Sequence, residues 1–189
     1  GIEYSLQAKE GDVRWAALEL IRARNLSAFD KSLQAMTANE KENVRFRLGA
    51  LAALAPRTPA LSEGQVQLLL SSLNRSDDPT LRQSAARLLS AVNLSATDKL
   101  RLANEFLATA DALVLGSMLN VFTGEKDEAL GNAMIAALHS NKSFADVINP
   151  GLFTSAIADF PETVQAKAVP LHDLLKKGNE KLMKRFVRF

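Results

Sequence analysis

The chain contains no cysteine. That excludes disulfides, thiolate metal sites, a cysteine nucleophile and covalent c-type haem attachment within these residues. Aromatics make up only 6% of the chain, with one tryptophan and one tyrosine. Valine and isoleucine are sparse, and no alternating Val/Ile/Thr run of strand length occurs, so β-sheet is not expected. No stretch reaches about 18 uninterrupted apolar residues, which leaves no expected membrane span. The opening GIEYSLQAKE lacks the apolar core of a signal peptide. Neither charge sign dominates: 23 basic residues face 21 acidic ones, for a net charge of +2. A near-balanced chain carries no broad electrostatic footprint for nucleic acid. The basic excess gathers in the tail between Lys167 and Arg188. HExxH, GxSxG, GxGxxG and GxxxxGK[ST] are all missing, so no zinc-protease, hydrolase or phosphate-loop chemistry is legible.

What the chain does have is alanine and leucine, which dominate a hydrophobic fraction of 47%. These residues favour helix, and small side chains let helices approach closely. The fold class read from this is all-α. One short phrase recurs: an acid or amide that caps a helix start, an aliphatic residue that begins the core stripe (Val44, Leu48, Leu51, Leu54 and Leu81, Ala85, Leu88, Leu89), and an arginine. It appears as Asp12-Val13-Arg14, Asn43-Val44-Arg45 and Asp78-Pro79-Thr80-Leu81-Arg82, each ahead of an Ala/Leu-rich body. Val13, Val44 and Leu81 lie 31 and 37 residues apart, about one helical hairpin, and repetition at that period is the mark of a stacked array. A lone hairpin cannot bury both its apolar stripes, so neighbours must stack. The expected architecture is an α-solenoid of about four to five helical hairpins, a single array over 1–189 with a divergent portion at about 150–189.

Helix starts are punctuated by Leu-Ser pairs. Ser27, Ser62 and Ser95 each precede Asp30, Gln65 and Asp98 by three residues, the capping-box spacing. First helices are expected at roughly 27–37, 62–73 and 95–109, and their mates at 12–24, 41–55 and 79–92. A fourth mate without its arginine is expected at 111–122, and another helix at 126–139. Asn149-Pro150-Gly151 breaks the chain before a short helix near 152–159. Pro161 and Pro170 punctuate the C-terminal stretch, where a last helix is expected over 171–187 with a kink or break at Gly178.

The phrase resembles HEAT-type repeats, whose second helix often opens with an acid, a small or Pro residue and a Val/Leu-Arg pair. The resemblance spans roughly residues 12–122, is closest at Pro79, and implies a HEAT/armadillo-like superhelix. A narrower likeness lies in the ending FPETVQAKAVPLHDLLKKGNEKLMKRFVRF. It is similar to the tail of the helical-repeat region in planctomycete-type secreted proteins that join a dehydrogenase domain to a C-terminal cytochrome c domain. That likeness implies a fragment of a larger exported redox protein, periplasmic or secreted, whose Cys-x-x-Cys-His would lie beyond Phe189.

Individual residues add little chemistry. His139 and His172 stand 33 residues apart without a cysteine or HExxH nearby, so neither a metal nor a cofactor is expected. Asp111, Asp127 and Glu128 sit near helix starts and read as caps rather than general acids. Four Asn-x-Ser triplets begin at Asn25, Asn74, Asn93 and Asn141, again in capping positions. Trp15 is either a core residue or the wall of a binding groove. Lys177, Lys181 and Arg185 form a basic face on the last helix, and Phe186 and Phe189 are placed to dock on a neighbouring domain. The function expected is a non-catalytic scaffold or spacer that contacts a protein or flanking domains. Two alternatives stand beside it: a stand-alone intracellular adaptor, and a HEAT-like enzyme that excises damaged DNA bases.

Overall fold

Helices supply all the regular structure in the computed structural model, which describes residues 1–74 and 77–186, with side chains through residue 178. No helix among the described residues is long and apolar enough to cross a membrane. The chain divides into two compact units, Gly1–Leu94 and Ser95–Phe189.

The first unit is three helical hairpins. Helix α1 (Ile2–Leu6) pairs with α2 (Gly11–Arg24), α3 (Asp30–Ala38) with α4 (Val44–Leu54), and α5 (Glu63–Leu73) with α6 (Pro79–Leu89). The second helices form a row, α2 on α4 and α4 on α6. Leu18, Ile21, Leu33, Ala50, Ala53 and Leu54 close a core between the first two hairpins, with Trp15 and Phe46 at its edge. Gly49 sets the α2–α4 distance: a Cβ there would meet the Trp15 ring at 2.9 Å and Leu18 at 3.1 Å.

The caps divide into those foreseen and those reassigned. Ser62 and Gln65 form the full capping box, Asn43 accepts from the Arg45 N–H at 2.9 Å, and Asp78 accepts from the Leu81 N–H at 2.9 Å. Asp12, by contrast, lies inside α2, whose N-cap is Glu10. Ser27 opens only a 3₁₀ turn and caps nothing with its side chain. Its supposed partner Asp30 instead accepts from Arg57 at 2.6 Å. Asn25 belongs to the helix before it. It ends α2 in the left-handed region at φ 50°, while the Leu26 N–H reaches back to the Ile21 carbonyl at 3.0 Å, a Schellman-type stop in which asparagine is tolerated.

The repeated arginine has a single structural role, and it corrects the register of the phrase. The Arg14 Nε–H donates to the Leu6 carbonyl at 3.1 Å, Arg47 to Thr37 at 3.0 Å and Arg82 to Leu73 at 3.1 Å. Each acceptor lies in the last turn of the preceding helix, where carbonyls have no intrahelical partner and a cation suits the dipole. In the second hairpin the donor is Arg47, not Arg45. Counted from the N-caps Glu10, Asn43 and Asp78, all three donors stand at the fourth helical position. Val13 is exposed rather than the start of a core stripe, whereas Leu48, Leu51 and Leu54, and Leu81, Ala85, Leu88 and Leu89, are buried as expected.

The second unit is less regular. Helix α7 (Ala96–Arg101), capped by Ser95, runs into a π-helical turn at Leu102–Phe106 and a 3₁₀ turn at Leu107–Thr109, where one continuous helix was expected. The expected helix at 111–122 shortens to α8 (Leu115–Asn120). Helices α9 (Glu128–Ser140), α10 (Phe144–Val147) and α11 (Pro150–Ile157) come next along the chain. Asn141 is buried, and its amide donates to the Leu107 carbonyl at 2.7 Å and the Ala110 carbonyl at 2.8 Å.

The last helix, α12, spans Glu162–Phe186 without a break, so both the start expected at 171 and the punctuation by Pro170 are corrected. Pro170 lies on the exposed side of the helix, as does Ala166, whose carbonyl it leaves without its usual helical donor. Gly178 does not end the helix either. Its missing side chain admits the Ala145 carbonyl, whose oxygen would lie 2.6 Å from a Cβ. Phe144, Phe153 and His172 meet from α10, α11 and α12, the two phenylalanines edge to face at 5.2 Å between centroids and the imidazole tilted on Phe153 at 4.8 Å.

Candidate functional site

The row of second helices in the first unit borders a cleft of about 580 Å³. Trp15, Glu19 and Arg22 come from α2; Arg45, Leu48, Gly49 and Ala52 from α4; Leu81, Ser84, Arg87 and Leu88 from α6. Helical periodicity explains the set: positions 15, 19 and 22, then 45, 48, 49 and 52, then 81, 84 and 88 recur every three or four residues and share one face. The floor is apolar or small, and the polar groups stand at the rim. Trp15 is half-buried and packs against Gly49, while the Arg45 guanidinium lies 4.7 Å from its ring centroid. Tryptophan here is both the edge of the core and the wall of a groove.

The charges at the rim are partly answered. Glu19 accepts from Arg22 at 2.7 Å, and Asp78 caps α6. Arg45 and Arg87 are exposed, and neither is paired with an acid among the described residues. Ser84 donates to the Thr80 carbonyl of its own helix at 2.9 Å, as an ordinary helical serine does.

A second cleft, of about 570 Å³, is bordered by the end of α3, the start of α4 and one side of α5, and includes Thr37, Arg47, Ser62, Gln65, Leu68 and Ser71. Most of its polar groups are spent on the fold. Arg47 holds the Thr37 carbonyl, Ser62 and Gln65 cap each other, and Ser71 and Ser72 donate to the Leu68 carbonyl.

Beside it, the Arg14 guanidinium ion-pairs with Glu42 and lies 4.3 Å from the Phe46 ring centroid. The bond from Arg14, helped by the Asn43 N–H at 2.8 Å, holds the Glu42 carboxyl below its ordinary value near 4.5, against the opposing effect of burial.

The other residues singled out in the sequence do not converge. His139 is exposed at the end of α9, and His172 packs on Phe153. Among the described residues no group of three or more His, Cys, Asp or Glu side chains could hold a metal ion. Asp127 caps α9 through the Leu130 N–H at 2.7 Å, and Glu128 accepts from Thr163 at 2.7 Å. Lys177 is exposed on α12. The side chains of Lys181, Arg185 and Phe186, and Phe189 altogether, lie outside the described residues. The groove arginines Arg22 and Arg87 escaped the sequence reading; Arg22 stands seven residues from Trp15, a helical spacing that was a usable signal, whereas Arg87 is six from Leu81 and falls off that period. Comparisons with protein families, with curated proteins and with solved structures returned no match.

Proposed function

We propose that this chain is a non-catalytic helical-repeat module of the HEAT/armadillo-like type, which acts by presenting its row of second helices to a protein or to a neighbouring domain of the same polypeptide. The observation that carries this is the recurrence of one bond. Three hairpins each use an arginine at the fourth position of the second helix to close the end of the first, and their second helices stand side by side around one open groove. Stacked hairpins with an exposed row are interaction surfaces in many repeat architectures. The chemistry of the groove agrees with binding rather than turnover. Its serine is engaged within its helix, one of its carboxylates is ion-paired and the other caps α6, and no histidine lines it.

The tail's likeness to exported dehydrogenase–cytochrome proteins supports reading the module as a spacer within such a chain. A coding sequence that continues past Phe189 into Cys-x-x-Cys-His would support that placement, and one without it would remove it. The binding role is tested by a photo-cross-linking residue placed at Thr80 on the groove row, or at Lys31 on the first-helix row. A partner or flanking segment captured from position 80 and not from 31 is the expected result. Capture from neither position would overturn the reading.

A further inference from the structure

We infer that the groove of α2, α4 and α6 takes a short acidic stretch of polypeptide, its carboxylates on Arg45 and Arg87 and an apolar side chain on the floor beside Trp15. The inference rests on the protein-binding reading above and names the chemistry of the partner. Its first support is the charge left over. Of the three guanidinium groups at the rim, Arg22 is answered by Glu19, while Arg45 and Arg87 face solvent and are ion-paired with no acid among the described residues.

Arg45 is also free of structural duty, because the carbonyl-closing bond of its hairpin is made by Arg47. Its guanidinium lies over the Trp15 ring, 4.7 Å from the centroid, and a guanidinium on an aromatic face can still grip a carboxylate in bidentate fashion. Arg87 stands across the groove on α6.

The second support is the floor. Leu48, Gly49, Ala52 and Leu88 line it with aliphatic and small groups beside the indole, a surface that suits an apolar side chain and offers nothing to a phosphate. Nucleic acid would need a continuous basic track, since duplex DNA carries one charge per ~1.7 Å. This rim alternates arginines with Glu19 and Asp78.

Size is the third support. Three helices side by side at about 8–10 Å put α2 and α6 roughly 16–20 Å apart. An extended peptide rising ~3.3 Å per residue crosses that span in about six residues.

Trp15 is the sole tryptophan, so its emission reports the groove directly. The full chain would be titrated with an acetylated hexapeptide alternating glutamate and leucine, with its lysine–leucine counterpart, and with a mixed-sequence single-stranded DNA of twelve nucleotides. The expected result is a saturable emission change with the glutamate peptide alone. Arg87→Glu should weaken it about tenfold or more, and added salt should weaken it further. Arg45→Glu, read by calorimetry because it alters the indole's own surroundings, should do the same while the helical circular dichroism is unchanged.

No saturable change with the glutamate peptide, equal binding of the lysine peptide, tighter binding of the oligonucleotide, or indifference to Arg87→Glu would each overturn the inference. If the peptide fails while cross-linking from position 80 still captures a partner, only the acidic specificity falls. If both fail, the protein-binding reading falls with it.

Discussion

At the scale of single residues, three glycines record how closely helices pass, and they differ in what they face. Gly49 faces the half-buried Trp15 ring, which borders the groove, and then Leu18. Gly131 on α9 faces buried Phe160 and Val164, each 2.8 Å from where a Cβ would sit. Gly178 faces a backbone carbonyl, which cannot turn aside. Gly→Ala raises helix propensity by about 1 kcal/mol, so the sign of each substitution depends on the neighbour. Gly131→Ala is expected to destabilise by a net of about 1–3 kcal/mol in urea unfolding followed by circular dichroism. Gly49→Ala should instead shift the Trp15 emission with a smaller change in stability.

Glu42 gives a pH dependence whose sign is set by its partner. Arg14 lowers the carboxyl's folded value, so the pair's contribution is complete above the ordinary unfolded value near 4.5 and disappears as the pH falls through the depressed folded one. Wild-type stability should therefore fall more steeply below about pH 4.5 than that of Glu42→Gln. Urea midpoints measured at neutral and acid pH would show it, and parallel profiles for the two proteins would refute the assignment.

At the scale of elements, the Val44-Arg45-Phe46-Arg47 segment holds two arginines with different work. Arg47→Met should cost about 1–3 kcal/mol, because it strands the Thr37 carbonyl. Arg45→Met removes an exposed contact with Trp15 and should cost about 1 kcal/mol or less. The sequence phrase paired Asn43 with Arg45, and only the shared distance from the N-cap brings Arg14, Arg47 and Arg82 into line.

Local chemistry was legible where one residue satisfies its own backbone. Ser62-x-x-Gln65, Ser95, Asn43 and Asp78 cap as read, and the buried leucines of α4 and α6 obey their periodicity. Legibility failed where a distant partner decided the outcome. Asp30 is drawn to Arg57, Asn25 serves the helix behind it, and Gly178 is shaped by Ala145 on another helix. Trp15 and Lys177 were the site residues within reach of the described side chains, and only Trp15 proved to line a cleft. Pro170 misled for a related reason: a proline is costliest inside a buried helix, and here Pro170 and Ala166 both lie on the exposed side. Pro170→Ala should restore the bond to the Ala166 carbonyl and raise stability by up to about 3 kcal/mol, seen as a higher melting temperature.

At the scale of the molecule, the division at Leu94 gives each unit its own core. The first unit buries Leu18, Ile21, Leu51, Leu54, Leu69 and Leu73 and contains the whole groove. Residues 1–94 expressed alone are expected to remain helical and to unfold in one cooperative urea transition followed by Trp15 emission. A broad, featureless loss of signal would mean that this core does not stand by itself.

The arginine bonds have one more consequence. Donor and acceptor always lie on the same hairpin: Arg14 with Leu6, Arg47 with Thr37, Arg82 with Leu73. A stretch of gene encoding one hairpin, copied in place, therefore arrives with its fastening already complete, and the new copy needs only a compatible flank to join the row. An array assembled this way can lengthen or shorten by whole hairpins.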